Sequence, residues 1–206
     1  MSNLRFACTA SGGGRTILNL LDAIEAGSLN ATIAGVIVDR ECAAIERCAA
    51  RGLSVELLPW TKGTTQEDWA GRAWPRIEEL GADLVCHAGF LRLLRVPDAW
   101  LYRVMNVHPA LLPNYGGKGM WGSHVHRAVL ASGDSESGCT VHFATNEYDA
   151  GPAIVQRRVP VEAGDTVETL AARVFAAECE AYPEAVRLFG SDRIEVIEGK
   201  VKIRDE

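Results

Sequence analysis

Asn106 and His108 stand two residues apart at the end of the run Arg103-Val104-Met105-Asn106-Val107-His108. Such a run predicts a strand, and on a strand positions i and i+2 leave from one face. An amide N–H and an imidazole aimed at one point make an oxyanion site, able to steady the negative oxygen of a tetrahedral intermediate. Equally, the two are a strand-end pair satisfied by loop backbone. Asp149 favours the first alternative. It lies in the loop Tyr148-Asp149-Ala150-Gly151-Pro152, where a carboxylate reached from a neighbouring strand would raise the pKa of His108 and hold it as a cation. The structural alternative for Asp149 is an Asx-turn stabilising residues 148–151.

Four histidines, His108, His124, His126 and His142, raise the question of a metal. His124-x-His126 has the strand spacing of a zinc site, but Val125–Leu130 reads as the start of a helix and no H-E-x-x-H is present, so no metal is expected. Gly12-Gly13-Gly14 follows an apolar run and precedes a helical stripe. Strand, glycine turn and helix offer free N–H groups and a positive dipole end to a phosphate. Asp39 ends the second predicted strand, where a dinucleotide fold keeps its ribose carboxylate, yet the third glycine of G-x-G-x-x-G falls at Ile17. One phosphate fits this turn better than a dinucleotide. Gly116-Gly117-Lys118-Gly119 lacks the upstream strand and the Ser/Thr of a P-loop and is discounted. Glu178, on a long predicted helix, is either a solvated face residue or a ligand contact.

These residues need a scaffold of alternating elements. Strands are expected over Leu4–Ala10, Ala31–Val38, Leu53–Leu58, Asp83–Ala88 and Arg103–His108. Helices are expected from Ile17 to Gly27, over Cys42–Arg51, and over Gln66–Leu80, where Pro75 should kink or interrupt the last. The alternation predicts an α/β fold: a doubly wound, mostly parallel sheet, with ligands outside the carboxyl ends of its strands. The glycine turn, the Gly89 loop and Asn106/His108 all fall there. Beyond His126, Gly138–Ala144 and Ala153–Val161 read as neighbouring strands. Asp165-Thr166-Val167-Glu168 has the form of a capping box with Asp165 as N-cap and Glu168 at N3. A helix then runs towards Phe189, and residues 193–204 read as a polar hairpin around Glu198-Gly199.

Composition narrows the class. With 48% apolar and 23% charged residues, the chain is of ordinary globular type. Its net charge of −6 argues against a nucleic-acid surface. No apolar run approaches the span of a bilayer, and the N-terminus lacks the pattern of a signal peptide. The six cysteines show no C-x-x-C pair, as expected of a reduced, cytoplasmic protein.

Taken together, Asn106-x-His108-Pro109-x-Leu111-Leu112-Pro113, Gly138-x-Thr140-Val141-His142, Asp149-x-Gly151-Pro152 and Arg173-Val174-x-x-x-Glu178 resemble the phosphoribosylglycinamide formyltransferases, a family of folate-dependent formyl transfer enzymes of purine synthesis. The resemblance runs from about Leu4 to Phe189. It implies a Rossmann-like formyltransferase fold with an antiparallel C-terminal addition, forming one domain over residues 1–206. Within it, residues 1–102 would form a phosphate-binding half, 103–190 a catalytic and folate-binding half, and 191–206 a hairpin or tail.

The resemblance also implies roles. The amine of glycinamide ribonucleotide attacks the formyl carbon of 10-formyltetrahydrofolate, the co-substrate. Asn106 and cationic His108 stabilise the oxyanion, His108 protonates the leaving folate, and Asp149 keeps His108 charged. Gly12, Gly13, Gly14, Arg15 and Thr16, with Pro109, Phe175 and Glu178, match the substrate-binding positions. Leu91, Arg92, Leu93 and Leu94, with Thr145, Asn146, Glu147 and Tyr148, match the folate walls, and His124 and His142 would support the site. A cis bond at Leu112–Pro113 is expected on the same ground. The partners implied are these small molecules, with no nucleic acid or membrane, in a monomer or homodimer. Three departures stand out: Arg15-Thr16 after the glycines, Gln66 where a basic residue is usual, and a longer loop at Gly116–Gly122. Formyltetrahydrofolate hydrolases and methionyl-tRNA formyltransferases carry extra domains before or after this region, so both are expected to fit less well. A non-catalytic nucleotide-binding protein and a dinucleotide oxidoreductase are the competing readings from other classes.

Overall fold

A computed structural model describes residues 3–205; Met1, Ser2 and Glu206, which the terminal readings touch, lie outside the described residues. The chain divides into two units, the first ending at Asn106 and the second beginning at Val107.

The first unit is built on β1 (Leu4–Ala10), β2 (Ala31–Val38), β3 (Val55–Leu57), β4 (Leu84–His87) and the start of β5 (Val104–His108). These pair in parallel in the order β3-β2-β1-β4-β5. Helices α1 (Arg15–Glu25), α2 (Ala43–Ala49) and α3 (Gln66–Glu79) lie between successive strands in the sequence. The continuous apolar runs of β1 and β4 are almost wholly buried, which is what strands covered on both faces require. Phe6, Ile17, Leu20, Ile37, Ile77 and Leu84 fill the core, each contributing about 1.5–3 kcal/mol by leaving water.

The strand order reverses between β1 and β4, which makes their carboxyl ends a topological switch point. The loops leaving these two strands meet there. Ser11 donates its N–H to the Gly89 carbonyl at 3.0 Å, and Leu91 donates its N–H to Ser11 Oγ at 2.9 Å.

Two local expectations are narrowed in this unit. The third strand is only three residues long. Pro75 sits inside α3 without ending it: the proline removes one backbone bond, but Trp69, Ala70, Ala73, Trp74 and Ile77 are buried along the helix on both sides of it and outweigh that loss. A single 3-10 turn at Asp98–Trp100 was not anticipated.

The second unit carries α4 (Ser123–Ser132), β6 (Glu136–Phe143), β7 (Ala153–Pro160), α5 (Val167–Gly190), β8 (Ile194–Ile197) and β9 (Lys200–Ile203). Strands β6 and β7 pair antiparallel, and α5 packs on both. The pairing tolerates no side chain at two glycines. A Cβ at Gly138 would fall 2.0 Å from the Arg157 carbonyl oxygen, and one at Gly151 would fall 1.8 Å from that of Phe143.

The start of α5 corrects the expected cap by one residue. Thr166 is the N-cap and Thr169 its N3 partner. Asp165 is drawn away because its carboxylate accepts from the Glu162 N–H and from both ends of the Arg173 guanidinium at 2.6 and 3.0 Å. The C-terminal hairpin forms as expected, with Glu198 and Gly199 at positive φ, the backbone of a tight two-residue turn. Among the described residues, no helix is long and apolar enough to cross a membrane.

Candidate active site

In the second unit His108 ends β5 with its side chain 4% exposed, and Asp149 faces it from the loop after β6, 9% exposed. His108 Nδ1 lies 3.5 Å from Asp149 Oδ2, and His142 Nε2 lies 3.7 Å from Asp149 Oδ1. The carboxylate is thus set between two buried imidazoles. A third group closes on it: the Gly117 N–H donates to Asp149 Oδ2 at 2.9 Å. The residues are distant in the chain and meet because β6 carries His142 inward and the Asp149 loop folds back over the strand end.

Each ring has one nitrogen tied to backbone. His108 Nε2 donates to the Tyr115 carbonyl at 2.7 Å, and His142 Nδ1 donates to the Phe143 carbonyl at 2.9 Å. Those contacts choose the tautomers. They leave His108 Nδ1 as the nitrogen that gains or loses a proton beside Asp149. Tyr115 and Asp149 both hold left-handed backbone, with φ of 55° in each case. This conformation is uncommon outside glycine and persists where the surroundings over-determine it. Tyr115 is fixed further by its hydroxyl, which donates to Asp134 at 2.5 Å.

The electrostatics bear on one expectation. Burial lowers the pKa of His108 below the ordinary imidazole value, with a smaller push in the same direction from His142; the charge of Asp149 and the Tyr115 carbonyl oppose this without reversing it. The direction of this shift favours the neutral imidazole over the standing cation expected from the sequence. Asp149 is ionised. Burial alone would raise its carboxyl, but the His142 hydrogen bond, the His108 ring and the Gly117 N–H bring it below the usual carboxylate range.

The strap after His108 is held by Thr140. Its hydroxyl donates to the Ala110 carbonyl at 2.7 Å and accepts from the Leu112 N–H at 3.0 Å. Gln156 Nε2 adds bonds to the Leu112 carbonyl and to Thr140 Oγ1. The Leu112–Pro113 bond is cis, as expected. The loop at residues 116–122, expected to be long, reaches the carboxylate: Gly117 within it donates to Asp149.

His126 was weighed from the sequence only as a metal ligand, yet it is 95% buried by its 5% exposure. Its Nδ1 has no partner among the described residues. Burial first, and the neighbouring His108 second, lower its pKa. The available signal was helical: Val125, His126 and Val129 share the buried face of α4. His124, expected as a supporting residue, is exposed and meets Trp121 edge-on at 4.9 Å between ring centroids.

Glu178 and Phe175, three residues apart on one face of α5, are half-buried. Glu178 lies near β6, where its charge adds to burial in pushing the Cys139 thiol up to about 12. Thr145 is half-buried and Asn146, Glu147 and Tyr148 are exposed in the loop before Asp149; Pro109 is half-buried.

In the first unit Gly14 caps α1 in a left-handed conformation (φ 72°), and Arg15 and Thr16 begin that helix. Gln66 is the first helical residue of α3, inside the capping box formed by Thr65 and Asp68. Leu91 is exposed, Arg92 and Leu93 are half-buried, and Leu94 is buried. Asp39 has a fully buried side chain that accepts from Arg40 at 2.8 Å and Arg92 at 3.2 Å, and Arg92 stacks over Trp60. Although burial would raise it, these hydrogen bonds and that of Ser11 hold the Asp39 carboxyl low. A carboxylate so engaged is not presented to a ribose, which weighs against the dinucleotide alternative.

A formyl transferase family model matches residues 4–186. The chain is 36% identical over 193 residues to the chloroplastic phosphoribosylglycinamide formyltransferase of Vigna unguiculata, covering 92% of this chain and 62% of that protein. It therefore spans less than two thirds of the length of that relative. It is 34% identical over 191 residues to the phosphoribosylglycinamide formyltransferase of Escherichia coli (strain K12), covering 91% of this chain and 88% of that one. The crystal structure of glycinamide ribonucleotide transformylase 1 from Symbiobacterium toebii superposes with a TM-score of 0.92 at 35% identity, covering 100% of this chain and 96% of that chain.

Proposed function

Because the chain belongs to the formyl transferase family, we propose that it transfers the formyl group of 10-formyltetrahydrofolate to the amine of 5-phosphoribosylglycinamide, a step of purine synthesis. The arrangement of an ionised Asp149 between two buried imidazoles, with one nitrogen of His108 committed to the Tyr115 carbonyl, carries the proposal. Relatives bearing the names of that enzyme support it.

The neutral amine attacks the formyl carbon, forming a C–N bond while the carbonyl π electrons move onto oxygen. Asn106 leaves β5 on the same face as His108, and its amide N–H donates to that oxyanion; His108 joins it only once Nδ1 has taken up a proton. The new nitrogen is now cationic and gives up a proton, which Asp149 guides to His108 Nδ1. His108 can accept it because it rests neutral, and the nearby carboxylate then stabilises the imidazolium. The C–N10 bond breaks, and the proton passes from His108 to N10 of the departing tetrahydrofolate. One proton leaves the amine and one arrives at N10, so no external acid is consumed. Gly12 to Thr16 hold the substrate phosphate with backbone N–H groups at the start of α1. Phe175 and Glu178 contact the ribonucleotide, and residues 145–148 contact the folate. The six free cysteines suit a reducing, cytoplasmic setting.

The test is a steady-state assay of tetrahydrofolate release. Release that saturates with 5-phosphoribosylglycinamide and leaves the formyl group on the amine is the expected result. Release at the same rate without any amine would replace this function with hydrolysis, and no release under either condition would remove formyl transfer altogether.

A further inference from the structure

The glycine turn after β1 is held from behind by α2. The Gly12 carbonyl accepts from the Ala44 N–H at 3.0 Å, and the Gly13 carbonyl accepts from Arg47 Nη1 at 3.1 Å. In a trans peptide the C=O of one residue and the N–H of the next point in opposite directions. With both carbonyls turned towards α2, the N–H groups of Gly13 and Gly14 are turned away from it. The packing leaves little freedom: a Cβ at Gly13 would meet Arg47 Nη1 at 3.3 Å, and one at Gly14 would meet Ala44 at 3.0 Å.

We propose that Arg47 is a positioning residue for phosphate. By holding the Gly13 carbonyl it orients the Gly14 N–H towards the anion, and it places a positive charge behind the peptide that donates. Arg47 does not touch the substrate in this arrangement; it acts through the turn. Ala44 fixes the preceding peptide through its backbone, so Arg47 is the part of the device that a side-chain substitution can remove. Arg47 is an exposed residue, so the helix is not expected to depend on it. This inference rests on the proposed role of Gly12 to Thr16 as the phosphate turn.

The test compares two amine substrates, 5-phosphoribosylglycinamide and the same glycinamide riboside without its phosphate, in the wild type, Arg47→Met and Arg47→Lys. A charged hydrogen bond at an exposed site predicts that Arg47→Met raises KM for the phosphorylated amine about three- to tenfold. kcat, the KM for folate and the kcat/KM of the riboside should stay within twofold, and Arg47→Lys should recover part of the loss. If the wild type itself does not prefer the phosphorylated amine, the phosphate turn is wrong and this inference goes with it. If the wild type prefers it but Arg47→Met keeps the full preference, the turn stands and Arg47 has no positioning role. An equal loss for both amines assigns Arg47 to general stability and likewise overturns the inference.

Discussion

At His108 burial and the charge of Asp149 act in opposite directions, and burial prevails. A resting neutral imidazole can take a proton as the amine attacks, which a permanent cation cannot. Replacing Asp149 by Asn removes the charge that stabilises the imidazolium, so the pKa of His108 should fall further. The acid limb of the kcat/KM–pH profile should then move to lower pH, together with a loss of kcat; an unmoved limb would leave Asp149 with a structural role. In the proposed mechanism Asn106→Ala removes one donor to the oxyanion, and kcat should fall by about 10²–10³. A variant within threefold of the wild type would take Asn106 out of the mechanism. The spacing of Asn106 and His108 pointed to this pair directly, because strand alternation is a local property. The sign of the His108 shift was not readable there, because it depends on how much water the fold excludes.

Among the elements, the β6–β7 pair decides where Asp149 sits. Its register shifts between Val141 and His142, and the chain returns so tightly that Gly151 lies against the Phe143 carbonyl. Gly151→Ala cannot be accommodated without moving backbone, so it should cost about 1–3 kcal/mol of stability. It should also displace Asp149, lowering kcat. Urea unfolding and turnover measured on the same preparation check both; a variant of unchanged stability would show that the loop yields freely. The two strands were anticipated from their apolar runs to within two residues at each end. The glycine requirement was not, since Gly151 reads equally as an ordinary turn residue until the neighbouring strand is placed beside it.

For the whole molecule, buried titratable groups set the response to pH. His108 and His126 both have folded-state pKa values lowered by burial, so between those values and the unfolded value of about 6.5 the unfolded chain binds more protons. Stability should therefore decline as pH falls below about 6.5. Asp39 and Asp149 are lowered as well. Their contribution is present above the unfolded carboxylate value of about 3.9 and is lost as pH falls through the folded values. Denaturant unfolding between pH 4 and 8 should show the first decline, and His126→Asn should flatten it. A slope identical in that variant would remove His126 as a source.

Strand and helix order, the glycine turn before the first helix and the i, i+2 pair Asn106 and His108 follow from the chain read on its own, because hydrophobic period, turn chemistry and strand alternation act over a few residues. Tertiary structure alone decided which distant groups surround Asp149 and which nitrogen of each imidazole is free. It also decided that Asp39 is claimed by two arginines and that Asp165 serves Arg173 rather than the helix cap. Those outcomes depend on approach distances and on excluded water, quantities that arise only once strands and loops far apart in the chain lie side by side.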